Sequence, residues 1–379
     1  MIIALVAGEA SGDQLGAALI RAIQSSKPDT RFAGIGGPMM KAAGMDCWWD
    51  CRQLSVMGLV EVISHLPRLI NLRRQLIDRL VELQPDVFIG IDAPDFNLGV
   101  EKKLKARSIP VIHYVSPTIW AWRAGRVKTI ANATDRVLCL FPFEPEWYRQ
   151  QTIVADYTGH PLADDIALQV SADAARLTLD IKSAGICIAL LPGSRLSEVQ
   201  KLSSPMLDAA RILTERYPQI SFLMPAATTP IRQYFESELL AQPGVNCRVF
   251  CKQSKDVMAA ADVVICASGT ATLEVMLVNR PMVVCYRLAG MTYRLAKWFK
   301  LVKTRYFALP NILTCEALVP ELLQHEVTGR RIADEVIRWL DQPEQCDQLK
   351  QRFDLLHRQL KIDAAVTAAN IVLRHAEKK

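Results

Sequence analysis

Two carboxylates directly follow an apolar run early in the chain and can act as a general base. The run is Val87–Ile91, and Asp92, Pro94 and Asp95 come next. An unbroken apolar stretch that ends at turn-forming residues is typical of a buried parallel strand. Because open α/β sheets bind ligands beyond the carboxyl ends of their strands, both carboxylates are placed at a candidate active site. Asp92 is expected either to take a proton from a substrate or to cap the next helix, whereas Asp95 is expected to cap it.

A turn of small polar residues in the second half of the chain has the features of a phosphate site. Ser268, Gly269 and Thr270 follow an apolar strand and precede a helix that carries Glu274. The unpaired N–H groups and the dipole of a helix start attract an anion such as a diphosphate. Glu274, one turn into the helix, can accept hydrogen bonds from the two hydroxyls of a ribose. The alternative is a well-capped helix with Glu274 on its surface.

A cationic residue has the same placement after another strand. Ser194 and Arg195 follow the apolar run Cys187–Leu191. Arg195 can neutralise a departing phosphate and so replace a metal ion. No cluster of Asp or His side chains suggests a bound divalent cation. The ten cysteines show no zinc-ligand spacing and are interpreted as mostly buried thiols of a reducing compartment.

Three polar residues of the first half belong to the same predicted surface as Asp92. Glu9 and Ser11 lie in a glycine-containing loop after the first apolar strand, but this loop lacks a dinucleotide-binding fingerprint. His113 lies within a later apolar strand, residues 111–115. These residues are expected either to face a substrate or to support Asp92. His113 can equally be a buried histidine whose hydrogen bonds are satisfied within the strand.

The elements that position these residues alternate between strand and helix in both halves of the chain. This alternation predicts an α/β fold with two doubly wound parallel sheets and a cleft between two domains. A chain of 379 residues also exceeds the size of one ordinary core. The predicted domains are residues 1–165 and 166–345. The C-terminal helices, residues 346–379, are expected to pack on the first domain or on a partner subunit.

Residues 58–83 carry more apolar side chains than one buried helix face needs. A helix beginning at Pro67 is predicted, because proline suits the first turn, and its leucines form a core-facing stripe. A second apolar group lies beside Arg68, Arg73 and Arg74 and is expected to lie in a membrane interface. The alternatives are that it belongs to a buried helix hairpin or forms a dimer contact. That group comprises Leu59, Val60, Val62, Ile63, Leu66 and Ile70.

The net charge and the lengths of the apolar runs limit the classes of protein to which this chain can belong. The net charge of +6 is mild and is compatible with an anionic substrate or an anionic membrane surface. The first residues form a strand rather than a targeting leader, and no apolar run has the length of a bilayer crossing. A globular cytoplasmic protein that does not bind nucleic acid is expected.

Several stretches together carry a family resemblance. They are VAGEASGD (6–13), GIDAPDFN (90–97), HYVSP (113–117), WAWR (120–123), LPGSR (191–195) with Glu198, SGT (268–270) with Glu274, and LPN (309–311). With these stretches in the family's order over most of the chain, the sequence resembles the lipid-A-disaccharide synthases, which are inverting glycosyltransferases of the GT-B fold. After residue 311 the family usually continues with an Ala-Gly step, where this chain has Thr314, Cys315 and Glu316.

The resemblance implies a transfer between two acylated sugars. The family moves 2,3-diacylglucosamine from UDP-2,3-diacylglucosamine to the 6-hydroxyl of 2,3-diacylglucosamine 1-phosphate, giving a β-1,6-linked disaccharide 1-phosphate and UDP. This is a step of lipid A biosynthesis on the cytoplasmic face of the inner membrane of Gram-negative bacteria. It needs no cofactor beyond the UDP of the donor, and the resemblance suggests a homodimer. Acylated substrates also favour membrane contact by the apolar group around Leu66.

The resemblance also suggests roles for the candidate residues. Asp92 is the candidate base. Arg195, with the amides of Gly269 and Thr270, is the candidate for holding the diphosphate. Tyr286 and Asn311 are further candidates for the donor site. Two other classes of protein stay open: a UDP-sugar epimerase or hydrolase on the same fold, and a membrane-binding protein that only holds a nucleotide.

Overall fold

The chain forms two compact α/β units in a computed structural model. The units are Met1–Asp164 with Leu360–Lys379, and Asp165–Gln359. The chain therefore leaves the second unit after Gln359, and its last residues, from Leu360 onward, belong to the first unit. The described residues are 1–54, 59–118, 126–149, 153–181, 185–287 and 305–377, with the backbone alone described for 59–65.

Each unit is built on one wholly parallel sheet. The first sheet has the strand order β3-β2-β1-β4-β5-β6-β7, and the second has β10-β9-β8-β11-β12-β13. The first sheet comprises β1 (Ile2–Ala7), β2 (Arg31–Gly36), β3 (Asp46–Asp50), β4 (Val87–Ile91), β5 (Val111–Tyr114), β6 (Arg136–Cys139) and β7 (Val154–Tyr157). The second comprises β8 (Cys187–Leu191), β9 (Ser221–Ala226), β10 (Cys247–Cys251), β11 (Val263–Ala267), β12 (Met282–Tyr286) and β13 (Glu321–Leu323).

Helices connect the strands and cover the sheets. Those of the first half are α1 (Ala10–Ser26), α2 (Pro38–Ala42), α3 (Leu59–Leu83), α4 (Pro94–Lys105), α5 (Arg126–Ala133) and α6 (Pro161–Asp165). Those that follow are α7 (Ala172–Thr178), α8 (Leu196–Arg216), α9 (Thr229–Leu240), α10 (Ser254–Ala260), α11 (Thr270–Leu277), α12 (Leu309–Thr314), α13 (Gly329–Asp341), α14 (Pro343–Leu360) and α15 (Ala364–Ala376).

Alternate residues of β1 enter the cores on the two faces of the first sheet. Ile3 and Leu5 pack in one core with residues of α1 and α15. Ala4 and Val6 pack in the other core with residues of α3 and α4. This two-sided burial is why the central strands have continuous apolar sequences.

The strand order reverses at one position in each sheet, and the candidate residues lie there. In the first sheet the reversal is between β1 and β4, the strands that precede Glu9 and Asp92. In the second sheet it is between β8 and β11, which precede Arg195 and Gly269. A crevice forms outside the carboxyl ends of the strands at such a switch point, because the connections leave to opposite sides. The candidate residues of each unit therefore lie where parallel sheets bind ligands.

The predicted helix start at Pro67 is wrong. Helix α3 runs from Leu59 to Leu83 without interruption, and Pro67 lies inside it. A proline within a helix removes one hydrogen bond and costs about 3 kcal/mol. The predicted core stripe offsets this cost, because Leu76 and Leu80 are completely buried and Leu72 is nearly so.

Candidate active site

Asp92 lies on a strained turn between β4 and α4. The φ angles of Asp92 and Ala93 are 50° and 44°, so two consecutive residues other than glycine adopt the left-handed region. Each such residue costs on the order of 1–3 kcal/mol and persists only where the surrounding contacts enforce it. The backbone N–H of Asp92 donates to the carbonyl of Tyr114 at 2.8 Å, which ties the turn to β5. Strain of this kind is concentrated at functional sites.

The carboxylate of Asp92 is available for chemistry. Helix α4 has Ala93 at its N-cap position, and no side chain provides a capping hydrogen bond. Within the described part of the chain, the Asp92 carboxylate also forms no ion pair. Of the two predicted alternatives for Asp92, capping is therefore wrong. The capping role predicted for Asp95 is wrong as well, because its exposed carboxylate instead accepts a hydrogen bond from Nη2 of Arg126 at 2.5 Å.

A buried amide lies directly beneath this turn. Asn97 is completely buried, and its Nδ2 donates to the carbonyl oxygens of Asp92 at 2.8 Å, Ile91 at 3.3 Å and Val6 at 3.4 Å. Gly8, in the loop after β1, also lies close to the turn, because a Cβ atom placed on it would lie 2.5 Å from Cβ of Ala93. The turn is therefore enclosed between the loop after β1 and helix α4.

His113 is buried next to a carboxylate that the sequence analysis did not identify. Nδ1 of His113 lies 2.7 Å from Oε1 of Glu101, and both side chains are fully buried. Burial lowers the pKa of His113, but the carboxylate of Glu101 and the charge of Asp92 raise it more, so the net pKa is raised. Gly90 makes room for the pair, because a Cβ there would lie 2.1 Å from Oε1 of Glu101. His113 has no exposed surface, and its side chain contacts Glu101.

The loop after β1 presents two of the predicted residues to solvent. Glu9 and Ser11 are exposed at the start of α1. Asp13, in the same motif, is buried and accepts hydrogen bonds from the backbone N–H groups of Gly37, Met39 and Met40. Asp13 therefore fixes the start of α2, while Glu9 and Ser11 are free to meet a ligand.

The second unit contains a cavity of about 460 Å³ at the carboxyl ends of its central strands. Glu198, Lys252 and Ser254, which the sequence analysis did not select as site residues, also line this cavity. The predicted residues in its wall are Ser194, Arg195, Ser268, Gly269, Thr270 and Glu274.

Gly269 shapes the part of this cavity suited to an anion. Its φ of 144° is open to glycine and strained for other residues, and a Cβ there would meet nothing within 4 Å. The backbone is therefore open to the cavity where α11 begins. The first N–H groups of α11 have no partner within the helix and point to the side where an anion binds.

A cation and a carboxylate lie on the opposite wall, at the start of α8. Oε2 of Glu198 accepts the backbone N–H groups of Ser194 at 3.2 Å and Arg195 at 3.4 Å. The Arg195 side chain is 70% exposed and contacts Glu198 only at 3.4 Å. An exposed guanidinium with one long contact can turn toward an anion in the cavity at small cost.

Glu274 faces the cavity from the first turns of α11. Burial raises the pKa of its carboxyl above the usual value. A hydrogen-bond donor such as a hydroxyl would stabilise the charged form there. This environment suits the predicted contact with the two hydroxyls of a ribose.

Tyr286 and Asn311 are placed outside the cavity wall. Tyr286 stacks on Phe307, with ring centroids 5.4 Å apart. Asn311 is almost completely buried, and its amide bonds the backbone of Val319 and the carboxylate of Glu321. Glu321 also accepts the backbone N–H groups of Phe307 and Ala308, so Asn311 belongs to a network that fixes this loop.

Two groups of predicted residues fall partly or wholly outside the described residues. Leu66 and Ile70 of α3 are 48% and 56% exposed, so this end of the helix has an apolar surface. The side chains of Leu59, Val60, Val62 and Ile63 lie outside the described residues, as do Trp120 and Trp122. In the described ranges, no helix has the length and hydropathy needed to cross a membrane. Nor do the described residues contain a cluster of three or more His, Cys, Asp or Glu suited to a metal ion.

Comparison with known proteins identifies relatives along the whole chain. A family model described as Lipid-A-disaccharide synthetase matches residues 3–372. The lipid-A-disaccharide synthase of Xanthomonas campestris pv. campestris (strain 8004) is 47% identical over 372 residues, which is 98% of this chain and 85% of that protein.

Solved structures of other proteins share the fold. A putative UDP-N-acetylglucosamine 2-epimerase from Listeria monocytogenes has a TM-score of 0.66 at 12% identity, covering 100% of this chain and 97% of the other. The glycotransferase of kitacinnamycin has a TM-score of 0.63 at 16% identity, covering 99% and 98%. These likenesses support the predicted GT-B architecture, with two parallel-sheet α/β domains. At such identities they carry no information about the reaction.

Proposed function

The chain belongs to the lipid-A-disaccharide synthase family, and on that premise we propose how its candidate residues catalyse a glycosyl transfer of lipid A biosynthesis. The donor is UDP-2,3-diacylglucosamine, and the acceptor is 2,3-diacylglucosamine 1-phosphate. The products are the β-1,6-linked disaccharide 1-phosphate and UDP. The family match over residues 3–372 is the observation that carries the reaction. The Asp92 turn and the cavity of the second unit supply the groups for it.

Asp92 acts as the general base. Its carboxylate removes the proton from the 6-hydroxyl of the acceptor as the oxygen attacks the anomeric carbon of the donor. The bond between that carbon and the diphosphate oxygen breaks, and its electron pair leaves with UDP. Attack from the face opposite the leaving group inverts the anomeric configuration. Glu9 and Ser11 are proposed to contact the acceptor, and buried His113 to support Asp92.

The cavity of the second unit holds the UDP moiety. The N–H groups of Gly269 and Thr270 and the guanidinium of Arg195 bind the diphosphate and stabilise the negative charge that develops on it. Glu274 accepts hydrogen bonds from the ribose hydroxyls. Ser194 and Ser268 also line this cavity. Asn311 and Tyr286 act indirectly, through the loop next to the cavity.

The reaction is tested by product analysis. Purified protein incubated with both acylated sugars should yield equal amounts of UDP and a disaccharide 1-phosphate, and proton NMR should show a β-1,6 linkage. Free 2,3-diacylglucosamine instead of disaccharide would indicate a hydrolase. A changed donor sugar without transfer would indicate an epimerase, and no turnover would indicate a nucleotide-binding protein.

We also propose that catalysis needs no metal ion or other cofactor, because Arg195 and the helix start provide the positive charge. Treatment with EDTA is therefore expected to leave the rate of disaccharide formation unchanged. The rate should be measured before and after chelation, and again after addition of magnesium. Loss of activity on chelation and its recovery with magnesium would refute this role of Arg195.

The exposed apolar end of α3 is proposed to contact the cytoplasmic face of the inner membrane, where both acylated substrates reside. Replacing Leu66 and Ile70 together by glutamate should weaken binding to anionic lipid vesicles about tenfold, because charge replaces apolar contact. Co-sedimentation with vesicles measures this effect.

The matched control replaces two exposed leucines of the second unit, Leu177 and Leu240, by glutamate. This control adds the same charge elsewhere and should sediment slightly less than the wild type, through charge repulsion alone. Equal sedimentation of the two double variants would disprove the assignment of this surface. We further propose that the protein is a homodimer, as light scattering of the purified protein can test.

A further inference from the structure

A cluster of buried polar side chains lies beneath the Asp92 turn. Asn97, Glu101 and His113 are all completely buried. Asn97 and Glu101 are four residues apart on α4 and so share one face of that helix. Polar groups in such a position are unfavourable unless they form hydrogen bonds. Since none of the three has exposed surface, an effect on the reaction has to act through neighbouring residues, and Asn97 contacts Asp92 directly.

The amide of Asn97 joins helix α4 to the two backbone segments that define the turn, the ends of β4 and β1. Its shortest hydrogen bond, 2.8 Å, goes to the carbonyl of Asp92 itself. The longer ones go to Ile91 at the end of β4 and to Val6 near the end of β1. One side chain therefore fixes the backbone of Asp92 relative to both strands at the switch point.

The pair formed by Glu101 and His113 holds α4 against the sheet. His113 of β5 is the register partner of Gly90 in β4. Its Nδ1 lies 2.7 Å from Oε1 of Glu101, and the missing Cβ of Gly90 leaves the space for that carboxylate. Helix α4, which carries Asn97, is thus joined to β5 by a buried hydrogen bond and packs closely on β4 at Gly90.

The turn has little room to relax. Asp92 and Ala93 both have left-handed φ angles, and a Cβ atom on Gly8 would lie 2.5 Å from Cβ of Ala93. Without the Asn97 amide, the backbone of Asp92 would lose the contact that enforces this conformation. The carboxylate would then point in a range of directions.

Resting on the proposed role of Asp92 as the base, we propose that Asn97 is a positioning residue that orients the Asp92 carboxylate by holding its carbonyl. The support of α4 by Glu101 and His113 makes this hold rigid. A purely structural Asn97 would stabilise the sheet without acting on the chemical step. The two roles differ in whether the effect of Asn97 on turnover depends on the Asp92 carboxylate.

The test is a double-mutant cycle of Asn97→Ala and Asp92→Asn. Asn97→Ala alone is expected to lower kcat about 100-fold, because a misplacement of about 1 Å has an effect of this size. The KM for the acceptor and the Kd for UDP should stay unchanged. In the Asp92→Asn background, the same substitution should lower kcat no further, since the carboxylate it positions is gone.

Two controls accompany the cycle. Thr134 is buried in the same unit, and its hydroxyl donates to the carbonyl of Ile130, so Thr134→Val should lower the Tm slightly and leave kcat unchanged. Gly8→Ala pushes on the turn at Ala93 and should lower kcat in the same selective manner. If Asn97→Ala does not fold, kcat is measured instead for Gly8→Ala, alone and combined with Asp92→Asn.

Each outcome decides one question. A kcat loss for Asn97→Ala that persists in the Asp92→Asn background, or an unchanged kcat for Asn97→Ala, would overturn the positioning role. Wild-type turnover of Asp92→Asn alone would instead refute the proposed base. That result is read from a different variant, so the two failures are distinguishable.

Discussion

Replacing Asp92 by asparagine is expected to lower the turnover number about 1,000-fold. Asparagine has the same shape but cannot accept the proton of the acceptor hydroxyl, and general base catalysis contributes about 10²–10⁴ in rate. The turn should persist, because Asn97 holds the backbone carbonyl of residue 92 rather than its side chain. The affinity for UDP should be unchanged, since the residues proposed to bind UDP all belong to the second unit. Steady-state kinetics and calorimetric titration with UDP measure the two quantities.

Asp95→Asn is the matched control for this substitution. Asp95 also follows β4, but its side chain is 83% exposed and pairs with Arg126. An exposed ion pair of this kind contributes about 0–1 kcal/mol to stability, so turnover should stay close to that of the wild type. Turnover near wild type for Asp92→Asn would exclude Asp92 as the base. An equal loss in both variants would indicate a general effect of negative charge near the turn.

Replacing Arg195 by methionine is expected to lower kcat by about 10²–10³, the effect of removing one group that stabilises developing charge in a transition state. Methionine keeps much of the length of the side chain while removing the guanidinium. The Kd for UDP should also rise, because the diphosphate already carries negative charge in the ground state. Kinetics with both acylated sugars, together with titration of UDP, separate the two effects.

Arg211→Met is the control on the same helix. Arg211 pairs with Glu215 at 2.6 Å on the surface of α8 and does not line the cavity. This variant should retain the kcat and UDP affinity of the wild type. If Arg195→Met behaved in the same way, the leaving group would have to be stabilised by the helix start alone.

The central strands could be predicted from the sequence because burial on both faces forces an apolar run. β4 and β8 occupy the predicted runs, Val87–Ile91 and Cys187–Leu191. The edge strands β3, β7 and β13 were missed. Each has partly exposed residues, and β13 spans only Glu321–Leu323, so neither an apolar run nor a clear alternation marks them.

The same reasoning explains which site residues could be found. Asp92, Arg195 and Gly269 directly follow buried strands, so position alone identified them. Asn97 and Glu101 could not be found in this way, because polar residues within a helix usually face solvent. Their burial depends on the approach of α4 to β4, which Gly90 permits. Lys252 and Ser254 also follow a strand, β10, but the sequence analysis did not select them as site residues.

Pro67 shows the limit of a local rule. Proline favours the first turn of a helix, but at this position the helix continues on both sides. The burial of Leu72, Leu76 and Leu80 outweighs the lost hydrogen bond. A sequence pattern gives the local preference, whereas the tertiary packing decides the outcome.

The most direct test of the transfer is the rate of UDP release from UDP-2,3-diacylglucosamine, measured with and without 2,3-diacylglucosamine 1-phosphate. A transferase in which Asp92 activates the acceptor hydroxyl should release UDP only when the acceptor is present, in amounts equal to the disaccharide formed. UDP release at the same rate without the acceptor would contradict this account, because water would then be the nucleophile.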